Sequence, residues 1–267
     1  MDVVILCGGQ GTRIRHLLPE GMPKCMADIN GTPFIRILVD YLVEEKNFGQ
    51  NSRFIFLTGY GANRVESYLQ KTYRFGMHGC RWWEFSYEAR LLGTAGAIKH
   101  LWLRGTGRRV IYPELQEPPK DPFFVFNGDT ICDVNYGVML AYHKAINSII
   151  TVACNADLKP VGTFIISKQF VDFIQPLDSG LCKGCGHEWE DHNIEGEFER
   201  ECSTCGNCYD YEFNPKNKVD IEDVLAILSY QHEPVGWFVT DAPFYDIGTP
   251  SGLEEFRQSK LASQIRL

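Results

Sequence analysis

The sequence predicts an α/β fold, and three observations carry that expectation. Short apolar runs rich in β-branched and aromatic residues recur along the 267 residues: Val3-Val4-Ile5-Leu6, Arg53 to Thr58, Trp82 to Glu88 and Phe123-Phe124-Val125-Phe126. Stretches with apolar residues at helical spacing separate them, Phe34, Ile37, Leu38, Tyr41 and Leu42 being one. Most of the runs lead into glycine, as buried strands do where they stop in a tight loop. A β-α-β-α rhythm of this kind builds a Rossmann-like sheet, mixed but mostly parallel, sandwiched by helices.

Hydrophobic residues make up 44% and charged residues 22%, the balance of a soluble globular chain. The length suits one large domain, or one domain with a small module. A net charge of −8 opposes a general nucleic-acid or anionic-membrane partner, since both need a positive field. Any phosphate site must then be a local positive feature on an acidic body. No stretch approaches the run of about 20 apolar residues that spans a bilayer. The N-terminus lacks the basic region and apolar length of a signal peptide, so a cytoplasmic location is expected. Cys7, Cys25, Cys80, Cys132 and Cys154 stand singly in apolar context and are expected as small core residues.

Along the chain, the first strand runs into Cys7-Gly8-Gly9-Gln10-Gly11-Thr12-Arg13. Glycines there let backbone amides point together at an anion, and Arg13 and Lys24 add charge at the rim. A P-loop would need Gly-Lys-Ser/Thr where Gly11-Thr12-Arg13 stands, and the dinucleotide fingerprint would need glycine at Ile14. Asn30-Gly31 is a turn, and Thr32-Pro33 predicts a helix start with Thr32 as the cap and Pro33 in the first turn. A second helix is expected through about Lys71, and a third opens on the small residues Leu92-Gly93-Thr94-Ala95-Gly96-Ala97. A polar, Pro-bearing loop runs from about Arg104 to Pro122.

The strand Phe123–Phe126 delivers Asn127-Gly128-Asp129-Thr130 at its carboxyl end, where open α/β sheets place ligands. Asp129 is therefore a candidate metal ligand, with Asp133 as a second choice that also reads as structural. Strands follow at Ile149 to Cys154 and Val161 to Ser167, a helix at Lys218 to Leu225, and a strand at Val235 to Thr240. Phe244-Tyr245-Asp246-Ile247-Gly248-Thr249-Pro250 then opens a last helix, through about Leu261, on a Thr-Pro cap.

Cys182-x2-Cys185, sixteen residues, and Cys202-x2-Cys205 fall within the spacing of a four-Cys zinc ribbon. Cys208, His187 and His192 are also at hand and could replace one of the four. Four thiolates would close a structural Zn²⁺ shell and supply the folding free energy that this polar filler lacks. Two disulfides are the alternative and suit a reducing compartment poorly. The division expected is residues 1–180 and 214–267 as one domain, with 181–213 as a ribbon-like insertion.

Gly-Gly-x-Gly-Thr-Arg followed some ten residues later by Pro23-Lys24 resembles the signature of the sugar nucleotidyltransferases, with Cys7 where that family usually has Ala. Leu92 to Ala97, Asn127 to Thr130 and Asp246 to Pro250 follow in the same order. Lys24-Cys25-Met26-Ala27 and Asn30 to Phe34 resemble the D-glycero-D-manno-heptose 1-phosphate guanylyltransferase group. The resemblance implies an enzyme that joins an NTP and a sugar 1-phosphate to give an NDP-sugar and pyrophosphate. GTP with a heptose- or mannose-type phosphate is the first choice, and thymidylyl, uridylyl or cytidylyl transfer is the alternative.

It further implies that Leu6, Gly8, Gly9, Gly11, Thr12, Arg13, Gly93, Thr94, Asn127 and Asp129 bind the nucleotide. Asp129 and Asp246 would hold Mg²⁺, Arg13 would neutralise the departing pyrophosphate, and Lys24 would hold phosphate oxygens. Lys159, in a departed version of the family's Glu-Lys-Pro, and Gly128 would meet the sugar phosphate. The ribbon is an insertion relative to the family, and homo-oligomer contact is one role open to it. A catalytically silent relative that docks partners through the ribbon is a rival reading, opposed by the intact Arg13, Lys24, Asp129 and Asp246. Nucleic acid is opposed by the ribbon's charge, since Lys183 and Arg200 are the only cations between Cys182 and Cys208.

Overall fold

The structure, a computed structural model, describes residues 1–46, 48, 52–73, 82–88, 91–104, 117–174 and 218–264. In chain order the first half holds β1 (Asp2–Leu6), β2 (Asp28–Ile29), β3 (Thr32–Pro33), α1 (Phe34–Asp40), β4 (Arg53–Thr58), α2 (Ala62–Thr72), β5 (Trp82–Tyr87) and α3 (Gly93–Arg104). The second half holds β6 (Phe123–Asn127), β7 (Thr130–Cys132), α4 (Tyr136–Ala145), β8 (Ile150–Cys154), β9 (Pro160–Ile166) and α5 (Gln169–Phe173). It ends with α6 (Ile221–Tyr230), β10 (Val235–Val239), β11 (Phe244–Asp246), α7 (Pro250–Gln258) and α8 (Lys260–Gln264).

Seven strands form one sheet in the order β10-β8-β9-β6-β1-β4-β5. All of its pairings are parallel except those of β9, which runs antiparallel to both β6 and β8. The sheet is thus mixed and mostly parallel, with helices on both faces. Alternate residues of one strand serve opposite cores, because successive side chains leave a strand on opposite sides. Val3, Ile5, Phe54, Phe56, Phe124 and Phe126 pack with α1, α2, α4 and α7, whereas Val4, Ile55, Leu57, Phe123 and Val125 pack with α3, α5 and α6. Burial on both faces is why these strands read as unbroken apolar runs.

Three expectations are corrected in detail. Thr32 and Pro33 form a strand, not the cap and first turn of a helix; α1 begins at Phe34, with Pro33 in the cap position. The cause is the turn before them: Asn30 and Gly31 both have positive φ (53° and 95°), a geometry that folds Thr32–Pro33 back on Asp28–Ile29 as a hairpin. The helix expected from Lys218 starts three residues later, because Asp220 caps it, its amide donating to Asp223 Oδ2 at 2.8 Å. The last helix opens as expected, with Thr249 Oγ1 accepting from the Gly252 amide and Pro250 at the first position, but it ends at Gln258. Extended backbone at Ser259 separates it from α8.

Cys7, Cys25, Cys132 and Cys154 are buried free thiols, as expected; Cys80 lies outside the described residues. So do positions 105–116 of the Arg104-to-Pro122 loop, and the whole of the 181–213 insertion with its cysteines and its proposed boundaries. No helix among the described residues is long and apolar enough to cross a membrane.

His143 of α4 is buried, its ring nitrogens each 2.9 Å from a hydroxyl, Thr151 Oγ1 and Ser167 Oγ. Burial pushes its pKa down from 6.5 to about 4, so the folded protein keeps it neutral where the unfolded chain would protonate it. Stability from this residue should therefore fall as pH drops from 6.5 through 4, by about 3 kcal/mol in all. Urea midpoints between pH 7 and 4 check this: His143→Gln should show a shallower loss than the parent chain.

Candidate active site

The site lies past the carboxyl ends of β1, β4, β5 and β6. Its root is pinned by backbone hydrogen bonds: the Cys7 amide donates to Leu57 O (2.8 Å), the Gly128 amide to Leu6 O (3.0 Å) and the Tyr60 amide to Gly8 O (3.2 Å). The glycine loop therefore leaves the sheet in one fixed direction. At Gly11 φ is +62°, and a Cβ there would stand 2.8 Å from Cβ of Lys24, so the loop folds directly over the lysine's stem. Lys24 opens a 3₁₀ turn, Lys24–Met26, whose Cys25 and Met26 are buried as anchors, and its ammonium pairs with the carboxylate of Asp129.

Asp129 and Asp246 meet because β7 and β11 pair antiparallel, with Thr130 opposite Asp246. The Ile247 amide closes the end of this ladder on Asp129 O at 3.0 Å. Asp246 Oδ1 is held by the Gly248 amide at 2.6 Å. A Cβ added to Gly248 would stand 2.7 Å from Asp246 Oδ1, 2.9 Å from Arg13 Nη2 and 3.3 Å from Asp129 Oδ2. Two carboxylates and a guanidinium thus face one small space that a side chain at 248 would fill. Among the described residues no group of three or more Cys, His, Asp and Glu could hold a metal alone. Two carboxylates suit Mg²⁺, which takes its other ligands from water and substrate phosphates.

These groups open into a cavity of about 450 Å³. Leu6, Gly8, Gly9, Gly11, Thr12, Arg13, Lys24, Gly93, Thr94, Asn127, Gly128, Asp129 and Asp246 all line it. Lys159 lies elsewhere, exposed on the tight turn between β8 and β9, where its amide donates to Asn155 Oδ1 at 2.9 Å. Asp133 is held by Tyr41 Oη (2.9 Å) and Lys46, which lower its pKa against the opposing effect of burial. That is a structural role, the reading the sequence left open for it.

Three charged residues of the lining were not singled out from the sequence: Glu88, Lys218 and Asp220. Glu88 is buried against the glycine loop, where a Cβ on Gly8 would stand 2.4 Å from its Oε1. Burial pushes its pKa up to about 7, opposed by a hydrogen bond from the Leu92 amide (3.1 Å) and by the nearby Lys218. One signal was there to read, since Glu88 directly follows a buried parallel strand, as Asn127-Gly128-Asp129 does. Lys218 and Asp220 come from beyond residues 175–217, and nothing local announces them.

Residues 2–160 match the family described as nucleotidyl transferase. The chain belongs to that family. Among its relatives, D-glycero-alpha-D-manno-heptose 1-phosphate guanylyltransferase of Campylobacter jejuni is 30% identical over 135 residues, 51% of this chain and 50% of that one. Mannose-1-phosphate guanylyltransferase catalytic subunit beta of Xenopus tropicalis is 32% identical over 145 residues, 54% of this chain and 35% of that one. The matches thus span half or less of these relatives' length. HddC from Yersinia pseudotuberculosis, in complex with GMP-PN, shares the fold at a TM-score of 0.60 with 22% identity, covering 99% of each chain. The inositol-1-phosphate CTP transferase of T. maritima superposes at 0.59 with 15% identity, covering 99% and 95%. The fold likeness to these two proteins thus extends beyond the family match, which stops at residue 160.

Glu88 makes a testable contribution to the stability of this nucleotidyl transferase family member. Its folded pKa of about 7 lies above the ordinary 4.5, so the folded state binds the extra proton between those values. Stability should fall as pH rises through that window, by about 3 kcal/mol at most. Denaturant midpoints at pH 5 and 8 test it, with Glu88→Gln expected to gain on the parent at pH 8.

Proposed function

We propose that the protein transfers a nucleotidyl group from an NTP to a sugar 1-phosphate and releases pyrophosphate. The preferred pair is GTP with a heptose- or mannose-type 1-phosphate. The observation that carries the reading is the convergence of Asp129, Asp246 and Arg13 on the space beside Gly248, with Lys24 on Asp129 and the glycine loop adjoining. No side chain needs to act as nucleophile. An oxygen of the sugar phosphate bonds to the α-phosphorus of the NTP, and the bond from that phosphorus to the β-phosphate bridge breaks, so pyrophosphate carries the electron pair away. Mg²⁺ held by Asp129 and Asp246 would supply charge neutralisation at the reacting phosphates.

The chain's own groups do the positioning. The amides of Gly8 to Thr12 and the Arg13 guanidinium receive the β- and γ-phosphates and stabilise the charge that gathers on them as they leave. Lys24, already at Asp129, holds phosphate oxygens at the point of attack. Leu6, Asn127, Gly128, Gly93 and Thr94, which line the cavity, would contact the nucleotide. Lys159 would reach the sugar phosphate from the β8–β9 turn. Guanine is favoured over other bases by Glu88, because a buried carboxylate beside the glycine loop accepts paired N–H donors, which the N1 and N2 edge of guanine presents. The guanylyltransferase relatives support the same choice.

A pyrophosphate-release screen of the common NTPs against sugar 1-phosphates, with Mg²⁺, tests the reading; turnover is expected with GTP and a heptose or mannose phosphate. Asp129→Asn should lower kcat at least a hundredfold with an unchanged unfolding curve, and near-normal release would remove the metal assignment.

The structural zinc belongs to the same reading, on the spacing of Cys182, Cys185, Cys202 and Cys205, with Cys208 or His192 as substitutes. Elemental analysis of the purified protein should find one zinc per chain, lost in Cys182→Ser. A metal-free protein with intact thiols would refute the ribbon.

A further inference from the structure

We propose that Lys218 reads the acceptor edge of the guanine base opposite Glu88, and that the strap 218–220 carries it into the pocket. The inference rests on the guanylyl reading above and adds to it the residue that faces O6.

The strap is fixed with unusual thoroughness for an irregular segment. The Val219 amide donates to Leu92 O (2.9 Å), and the Ala95 and Gly96 amides donate to Val219 O (2.9 and 3.1 Å). The Thr94 amide donates to Asp220 Oδ1 (2.9 Å), and the Ile221 amide to Thr94 Oγ1 (2.9 Å). A Cβ on Gly93 would stand 2.5 Å from Val219 O, so the strap's passage itself requires glycine there. Small residues at the start of α3 thus make room for the strap, and their amides are engaged by it. The strap brings Asp220 and Lys218 to the cavity that Glu88 also lines; Asp220 Oδ1 already accepts from the Thr94 amide and hydroxyl, which leaves the exposed Lys218 to face a ligand. Lys218 and Glu88 are close enough for the ammonium to favour ionisation of the carboxyl.

A neighbouring carboxylate and ammonium fit one base in one polarity. The Watson–Crick edge of guanine presents O6 as an acceptor beside N1–H and N2–H donors. With the donors on Glu88, O6 falls toward Lys218, and both bonds are charge-assisted. Adenine reverses the pattern: its N1 lone pair would face the carboxylate and its amino group the ammonium. A site built this way rejects the wrong base by repulsion as well as by lost bonds.

The test compares Lys218→Met and Lys218→Arg with the parent chain for GTP, ATP, UTP and 2-aminopurine riboside triphosphate, which lacks both O6 and the N1 proton and so offers Lys218 nothing to accept its bond. Lys218→Met should lower kcat/KM for GTP roughly tenfold to a hundredfold, mainly through KM, and cut the preference for GTP over ATP by a similar factor. It should leave 2-aminopurine riboside triphosphate within about twofold of the parent, Lys218→Arg should recover most of the loss, and GDP binding by calorimetry should weaken in parallel at an unchanged melting temperature. Equal losses for all four nucleotides, or a GTP preference kept in Lys218→Met, would overturn this proposal and leave the guanylyl reading standing. A parent chain that uses another base as well as GTP would overturn both.

Discussion

A two-stranded ladder makes the site. Asp129 and Asp246 lie far apart in the chain, and each ends or precedes a turn that would give it no particular partner. The pairing of β7 with β11, closed by the Ile247 amide on Asp129 O, sets their side chains toward one space. Gly248 keeps that space open, since any side chain there would meet both carboxylates and Arg13. The large sheet serves the ladder by fixing β6, whose end delivers Asp129, between β1 and β9.

Charge is distributed accordingly. The body carries a net −8, yet Arg13 and Lys24 converge on the acidic pair. An acidic surface repels polyanions in general, whereas the local cations and loop amides favour one well-placed phosphate chain. Lys24 and Asp129 hold each other in position, so each is partly desolvated without being left as an isolated buried charge.

The opposite wall follows different physics. Glu88 is buried against glycines and its proton is held more tightly than usual, while the strap that brings Lys218 is secured by backbone bonds to α3. Packing of this kind couples the start of α3, the end of β5 and residues 218–220. Small residues that read in the sequence as room for a ligand also provide room for the chain itself.

The sequence by itself determined the strands of the large sheet, the glycine loop and the Thr249-Pro250 cap, because these depend on local chemistry: continuous apolar runs, backbone freedom and a hydroxyl one turn from free amides. It also marked Arg13, Lys24, Asp129 and Asp246, each fixed within a contiguous string. Thr32-Pro33 misled because the same two residues suit a helix start and a hairpin arm, and the positive φ at Asn30 and Gly31 decided between them. Only the tertiary structure decided that Glu88, Lys218 and Asp220 share the cavity, that Gly248 leaves room between Asp246, Arg13 and Asp129, and that Lys159 stands apart. Those are matters of which distant segments come to lie side by side, and long-range pairing leaves no trace in the spacing of neighbouring residues.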